Sequence, residues 1–176
     1  LARARGAMAE NDYVEAGECY AKAYKHAKED ALRVDILYDL SEYHQVHSTD
    51  VDATDPAYHE ADWTKAVKCW WEIVRIDPSN TDARRKMLRY FYEAGDSGNM
   101  QAWSSVLTTA SELMDVLESN GEPVDPFVRK ARARAMLESA SLGQTTNRME
   151  TLAEAMRLLE ALRQDNPRIR EAAAAV

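Results

Sequence analysis

DWTKAVKCWWEIVRIDPSN, residues 62–80, is the stretch from which the fold is read. Its apolar residues Trp63, Ala66, Val67, Trp70, Ile73 and Val74 recur at steps of three and four, the interval that brings side chains onto one face of an α-helix. The helix ends at Asp77-Pro78, because proline has no amide hydrogen to donate and drives the preceding residue out of helical geometry. Asn80 or Thr81 then caps a new helix.

Working outward, the same spacing returns three times. Asn11-Asp12-Tyr13 followed by Ala16, Tyr20 and Ala23 repeats Asp62-Trp63 followed by Ala66, Trp70 and Ile73. A third copy places Ala155, Leu159 and Leu162 before Pro167, with the alanine-to-proline interval found between Ala66 and Pro78. The fourth is Ala102, Val106 and Thr109. An aromatic residue at the turn, a small residue where two helices touch, a bulky residue one turn later and a closing proline resemble the tetratricopeptide (TPR) repeat. The resemblance is carried by residues 62–95, then 1–27 and 146–167, and least by 96–145. That family repeats about every 34 residues, whereas the four small residues stand 50, 36 and 53 apart. Two intervals are therefore expected to hold longer helices or an inserted loop.

The resemblance implies an all-α fold: an alpha-alpha superhelix of about four stacked antiparallel helical hairpins, a TPR-like solenoid, plus a C-terminal helix, forming one domain over residues 1–176. Composition agrees. Glycine and proline number 6 and 5, and 45% of the residues are apolar, the balance of a helical protein with a continuous core. A net charge of -8 argues against nonspecific contact with nucleic acid or an anionic bilayer, both of which need a basic surface. No apolar run nears the roughly 20 residues that span a membrane, so a soluble domain is expected, with the cytoplasm favoured. The first residue is Leu1 and the last residues, Ala172 to Val176, read as an unfinished helix; the chain is read as part of a longer protein.

Helices are predicted over 1–10, 12–29, 31–46, 62–76, 81–94, 99–119, 126–141 and 147–165, with a ninth beginning after Pro167. Glycine stops close the helices at Gly95 to Gly98 and at Gly121, and Asp125 is a cap. Between Ser48 and Glu60 the helical period disappears into a polar segment with turn chemistry, read as a loop inserted into the second repeat.

In the resembling family the first helix of each hairpin lines the concave side, where peptides bind. Carried over by helix register, the inward set is Arg5 and Met8, then Asp35, Asp39 and Glu42, then Arg85, Arg89 and Tyr92, with Arg129 and Arg132 from the last hairpin. Residues 29–62 hold ten acidic side chains and one basic one, Arg33, while Arg84, Arg85, Lys86 and Arg89, then Arg129, Lys130, Arg132 and Arg134, form two basic clusters. A groove with an acidic and a basic end orients a partner segment of complementary charge, and arginine suits carboxylate recognition. The competing reading pairs Asp35 and Asp39 with Arg85 and Arg89 as a structural ladder.

The remaining motifs read as structure. His44 and His47, with His59, Asp50, Asp52 and Asp55, lack ligand spacing for a metal and lack the glycine and glutamate of a calcium loop, so no metal or cofactor is expected. Cys19 and Cys69 occupy equivalent places in two repeats and are expected to be free thiols. Trp63 and Trp70 are assigned to the core, and Trp71, adjacent to Trp70, is the candidate for an exposed hydrophobic contact. No nucleophile with a base, phosphate-binding loop or helical metal motif is present, and the expected role is a non-enzymatic scaffold that binds another protein or peptide. Self-association through terminal helices, or service as a regulatory domain of a larger enzyme, are the alternatives.

Overall fold

The computed structural model describes residues 1–46, 53–55, 59–143 and 145–165. Among these residues every regular element is helical: α1 (Ala2–Ala9), α2 (Tyr13–His26), α3 (Asp30–Tyr43), α4 (Trp63–Ile76), α5 (Thr81–Asp96), α6 (Ala102–Ser119), α7 (Pro126–Ser141) and α8 (Arg148–Asp165). No helix is long and apolar enough to cross a membrane. The predicted ninth helix lies outside the described residues, as does most of the inserted loop, of which residues 53–55 form a turn.

Local chemistry accounts for the boundaries. Asp12 and Asp62 begin α2 and α4 by accepting hydrogen bonds from the amides of Glu15 (2.9 Å) and Lys65 (3.0 Å). Asp125 does the same for α7 through the Phe127 amide, and Asn80 Oδ1 accepts from the Ala83 amide at 3.0 Å. Each acceptor satisfies an amide that has no partner within its helix. The stop after α6 is Gly121, at φ 70°, which lets the Glu122 amide return to the Leu117 carbonyl at 2.8 Å.

The chain divides into two compact units, Leu1–Ala83 and Arg84–Val176, with the division in the first turn of α5. In the first unit neighbouring helices pack in series, α1 on α2, α2 on α3 and α3 on α4; in the second, α6 packs on α7 and α7 on α8. This serial packing of helices is the all-α arrangement that the periodicity predicts. The four small residues that define the repeat, Ala16, Ala66, Ala102 and Ala155, are all buried. Without a side chain beyond Cβ, each lets its helix approach the partner closely.

The bulky residue one turn later is buried in three copies, Tyr20, Trp70 and Val106. The fourth, Leu159, departs from expectation and is 41% exposed. The face that α8 turns to α7 carries Ala155 and Leu158, which join Ala133 and Met136 in one cluster. Leu159, with Met149 and Met156, lies exposed on the remaining surface.

Candidate partner-binding surface

The predicted inward residues fall in both units. In the first, Arg5 of α1 and Asp39 of α3 are brought together: the Arg5 guanidinium donates from Nε to one carboxylate oxygen at 2.7 Å and from an Nη to the other at 3.3 Å. Both hydrogen bonds favour the charged guanidinium, so the Arg5 pKa is raised, Asp39 being the first cause. Asp39 thus has its partner one helix pair away in its own unit. Met8 packs, half-buried, against the cluster of Ala4, Ala7, Ala16, Tyr20 and Ile36, so it serves the core. Asp35 and Glu42 are exposed.

The second unit assembles a more distinctive surface. Tyr92 of α5 sits edge-on to Trp103 of α6 (centroids 5.5 Å, 88°) and to Phe127 of α7 (5.4 Å, 65°). Three cations lie over these rings. Arg89 covers Phe127 at 5.8 Å, Lys130 covers Tyr92 at 5.7 Å, and Arg134 covers Trp103 at 5.6 Å. A cation over an aromatic face is attracted by the ring quadrupole. Arg134 also binds Glu138 at 2.8 Å. Arg89 and Lys130 have no carboxylate partner among the described residues.

Two things hold this ledge in place. Trp103 is buried and lies directly on Gly95, whose missing Cβ makes room for the indole ring. Beneath it Leu88, Trp103, Val106, Leu113, Val128 and Ala131 form one buried cluster.

Other members of the two basic clusters have different roles. Arg84 is buried and reaches Glu112 of α6 at 4.0 Å. Arg132, assigned by register to the inward set, turns instead toward α8 and α6, meeting Glu154 at 3.6 Å and Met114 Sδ at 3.9 Å. The correction is to the face. Residues Phe127, Lys130 and Arg134 of α7 share the side of the helix that meets Tyr92 and Trp103, and Arg132 lies away from it. The register could not show this, because α7 buries Val128, Ala131, Ala133, Ala135, Met136 and Ala140 between two neighbours and has no single apolar stripe to define its orientation. Arg85 and Arg129 are half-buried.

A histidine and aromatic cluster stands apart in the first unit. His59 stacks on Tyr13 (5.3 Å, 22°) and packs on Tyr43 (4.2 Å), with Nε2 at 2.9 Å from the Tyr43 carbonyl. His44 lies beside it, and burial pushes its pKa down to about 4. Tyr43, His44 and His59 line a cleft of about 460 Å³ with Asp62, Trp63 and Lys65. Trp63, assigned from the sequence to the core, is 44% exposed and belongs to this cleft. As the first residue of α4 its side chain leans back toward the helix N-terminus, into this cleft. His47, Asp50 and Asp52 of the metal reading lie outside the described residues, and no group of three or more His, Cys, Asp or Glu suited to a metal occurs among the described ones. Cys19 is half-buried and Cys69 buried, both as free thiols.

Comparison with known proteins adds no relative: no family model matches the chain, and no curated protein or solved structure is significantly similar to it.

Proposed function

We propose that this chain is a non-enzymatic protein-interaction scaffold built from TPR-like hairpins, and that the second unit takes an acidic segment of a partner protein over Arg89, Tyr92, Phe127 and Lys130. The observation that carries this reading is the placement of Arg89 and Lys130 over aromatic rings with no carboxylate partner among the described residues. Cations held in place by stacking lose little further freedom when they bind, and guanidinium geometry suits carboxylates. The aromatic rings between them supply apolar contact for the segment's own side chains.

The test is fluorescence anisotropy of a labelled oligoglutamate peptide with wild type and with Arg89→Glu plus Lys130→Glu. Wild-type binding that weakens with salt and disappears in the variant supports the proposal. Equal binding by both proteins, or no binding by either, removes it.

A second reading, self-association, is favoured by the exposed Met149, Met156 and Leu159 on α8. Light scattering over a concentration series separates the two: growth in mass that Met156→Glu abolishes supports assembly, and a constant monomer mass excludes it.

A further inference from the structure

We propose that the outer face of α4 carries a second docking surface, centred on Trp71, for an acidic partner segment that presents an apolar anchor. This surface is in the first unit, on the second helix of its hairpin, and does not depend on the reading of Arg89 and Lys130.

Adjacent tryptophans on a helix point about 100° apart, and their burial shows the consequence. Trp70 is 2% exposed and fills the core, whereas Trp71 is 45% exposed. Thr64, Lys68, Trp71 and Arg75 are successive members of one stripe at steps of four, three and four along α4, and all four are exposed. Around the indole lies a shallow depression of about 570 Å³, lined by Lys68, Trp71, Glu72, Val74 and Arg75. Its charges are not equivalent. Arg75 donates from Nε to Glu72 at 2.8 Å and the Tyr24 hydroxyl donates to the same carboxylate at 3.2 Å. The Arg75 hydrogen bond, first, and then that of Tyr24 hold the Glu72 carboxyl below the ordinary carboxylate range. Glu72 is thereby committed within the unit.

Lys68, one turn before Trp71, has no carboxylate partner among the described residues. The depression therefore offers a large apolar contact beside an uncompensated positive charge. Tryptophan and arginine are the residue types most often found at the energetic centre of interfaces, and a lysine beside such an anchor selects the sign of the partner. The occupant that satisfies both features is an amphipathic acidic segment, its apolar side on the indole and its carboxylates on Lys68.

The experiment uses a fluorescein-labelled acidic amphipathic peptide of repeating Glu-Glu-Leu-Leu, the same peptide with serine in place of leucine, and vesicles of phosphatidylcholine and phosphatidylserine. Expected is binding of the leucine peptide that weakens on the order of tenfold or more in Trp71→Ala and severalfold in Lys68→Glu. Arg89→Glu plus Lys130→Glu leaves it unchanged, and the serine peptide does not bind. Because Trp71 is partly exposed, Trp71→Ala keeps its circular dichroism, which separates loss of contact from loss of fold. No binding of the leucine peptide, equal binding by Trp71→Ala, binding lost only in the Arg89 and Lys130 variant, or Trp71-dependent binding to vesicles in place of peptide each overturns the proposal.

Discussion

Gly95→Ala and Gly6→Ala make the same chemical change in two helices and are expected to have opposite effects on stability. At Gly6 a new Cβ meets nothing within 4 Å, whereas at Gly95 it would stand 2.8, 3.0 and 3.0 Å from three atoms of the Trp103 ring system. In both positions alanine is the better helix former, by up to about 1 kcal/mol. Gly6→Ala should therefore stabilise the protein by about 0.5 to 1 kcal/mol. At Gly95 the indole must move, and it is fixed from three sides by Tyr92, Arg134 and the buried cluster around Leu88 and Val106. Overpacking of this kind costs about 1 to 3 kcal/mol, and with a propensity gain of about 1 kcal/mol subtracted the net loss is up to about 2 kcal/mol. For a unit of this size that lowers the melting temperature by up to roughly 16 °C. Urea and thermal unfolding followed by circular dichroism, with near-ultraviolet spectra to report the indole environment, make the comparison. Stabilisation of Gly95→Ala to the extent seen for Gly6→Ala would refute the close packing of Trp103 on α5, and with it the support of the aromatic ledge.

Three other outcomes are expected. Trp70→Ala should cost about 3 to 5 kcal/mol and Trp71→Ala about 1 kcal/mol, measured by urea unfolding; equal losses would contradict their different burial. For His44, burial, first, and Lys65 lower the folded-state pKa to about 4 from an unfolded value near 6.5. The unfolded chain then binds the extra proton between those values. The His44 contribution is complete above about pH 6.5 and is lost as pH falls toward 4, with a slope below about 1.4 kcal/mol per pH unit. His44→Phe should flatten the pH dependence of stability in that window, and an unchanged slope would count against the assignment. Burial pushes the Cys69 thiol up to about 11, so at pH 8 iodoacetamide should label Cys19 ahead of Cys69, with Cys69 labelled only on unfolding; mass spectrometry of the peptides reads the order.

Helix positions were largely legible in the sequence because caps and breakers act locally. Asp12, Asp62, Asp125 and Pro78 set the ends of helices without reference to distant parts of the chain. The repeat was legible for a related reason: a small residue at a helix contact cannot be moved without loss of the close approach, so Ala16, Ala66, Ala102 and Ala155 keep their places. Side-chain direction was less legible. Trp63 follows the apolar spacing of α4, yet spacing does not show that a first-turn residue lines a cleft at the helix start instead of the core. In α7 small residues on several sides removed the pattern from which a face is assigned, so Arg132 was placed inward and Lys130 and Arg134 were not. The pairing of Arg5 with Asp39, 34 residues apart, depends on how α1 and α3 are brought beside one another, which no local signal encodes.

Of the four tryptophans, Trp63, Trp70 and Trp71 belong to the first unit and Trp103 alone to the second. The molecule thus carries a built-in optical label for each half. With the first three replaced by phenylalanine, emission from the remaining indole isolates events around the ledge, and subtracting that signal from the parent's leaves the response of the region near α4. A denaturation curve recorded in this way resolves whether the halves melt together or in turn, without attaching any dye.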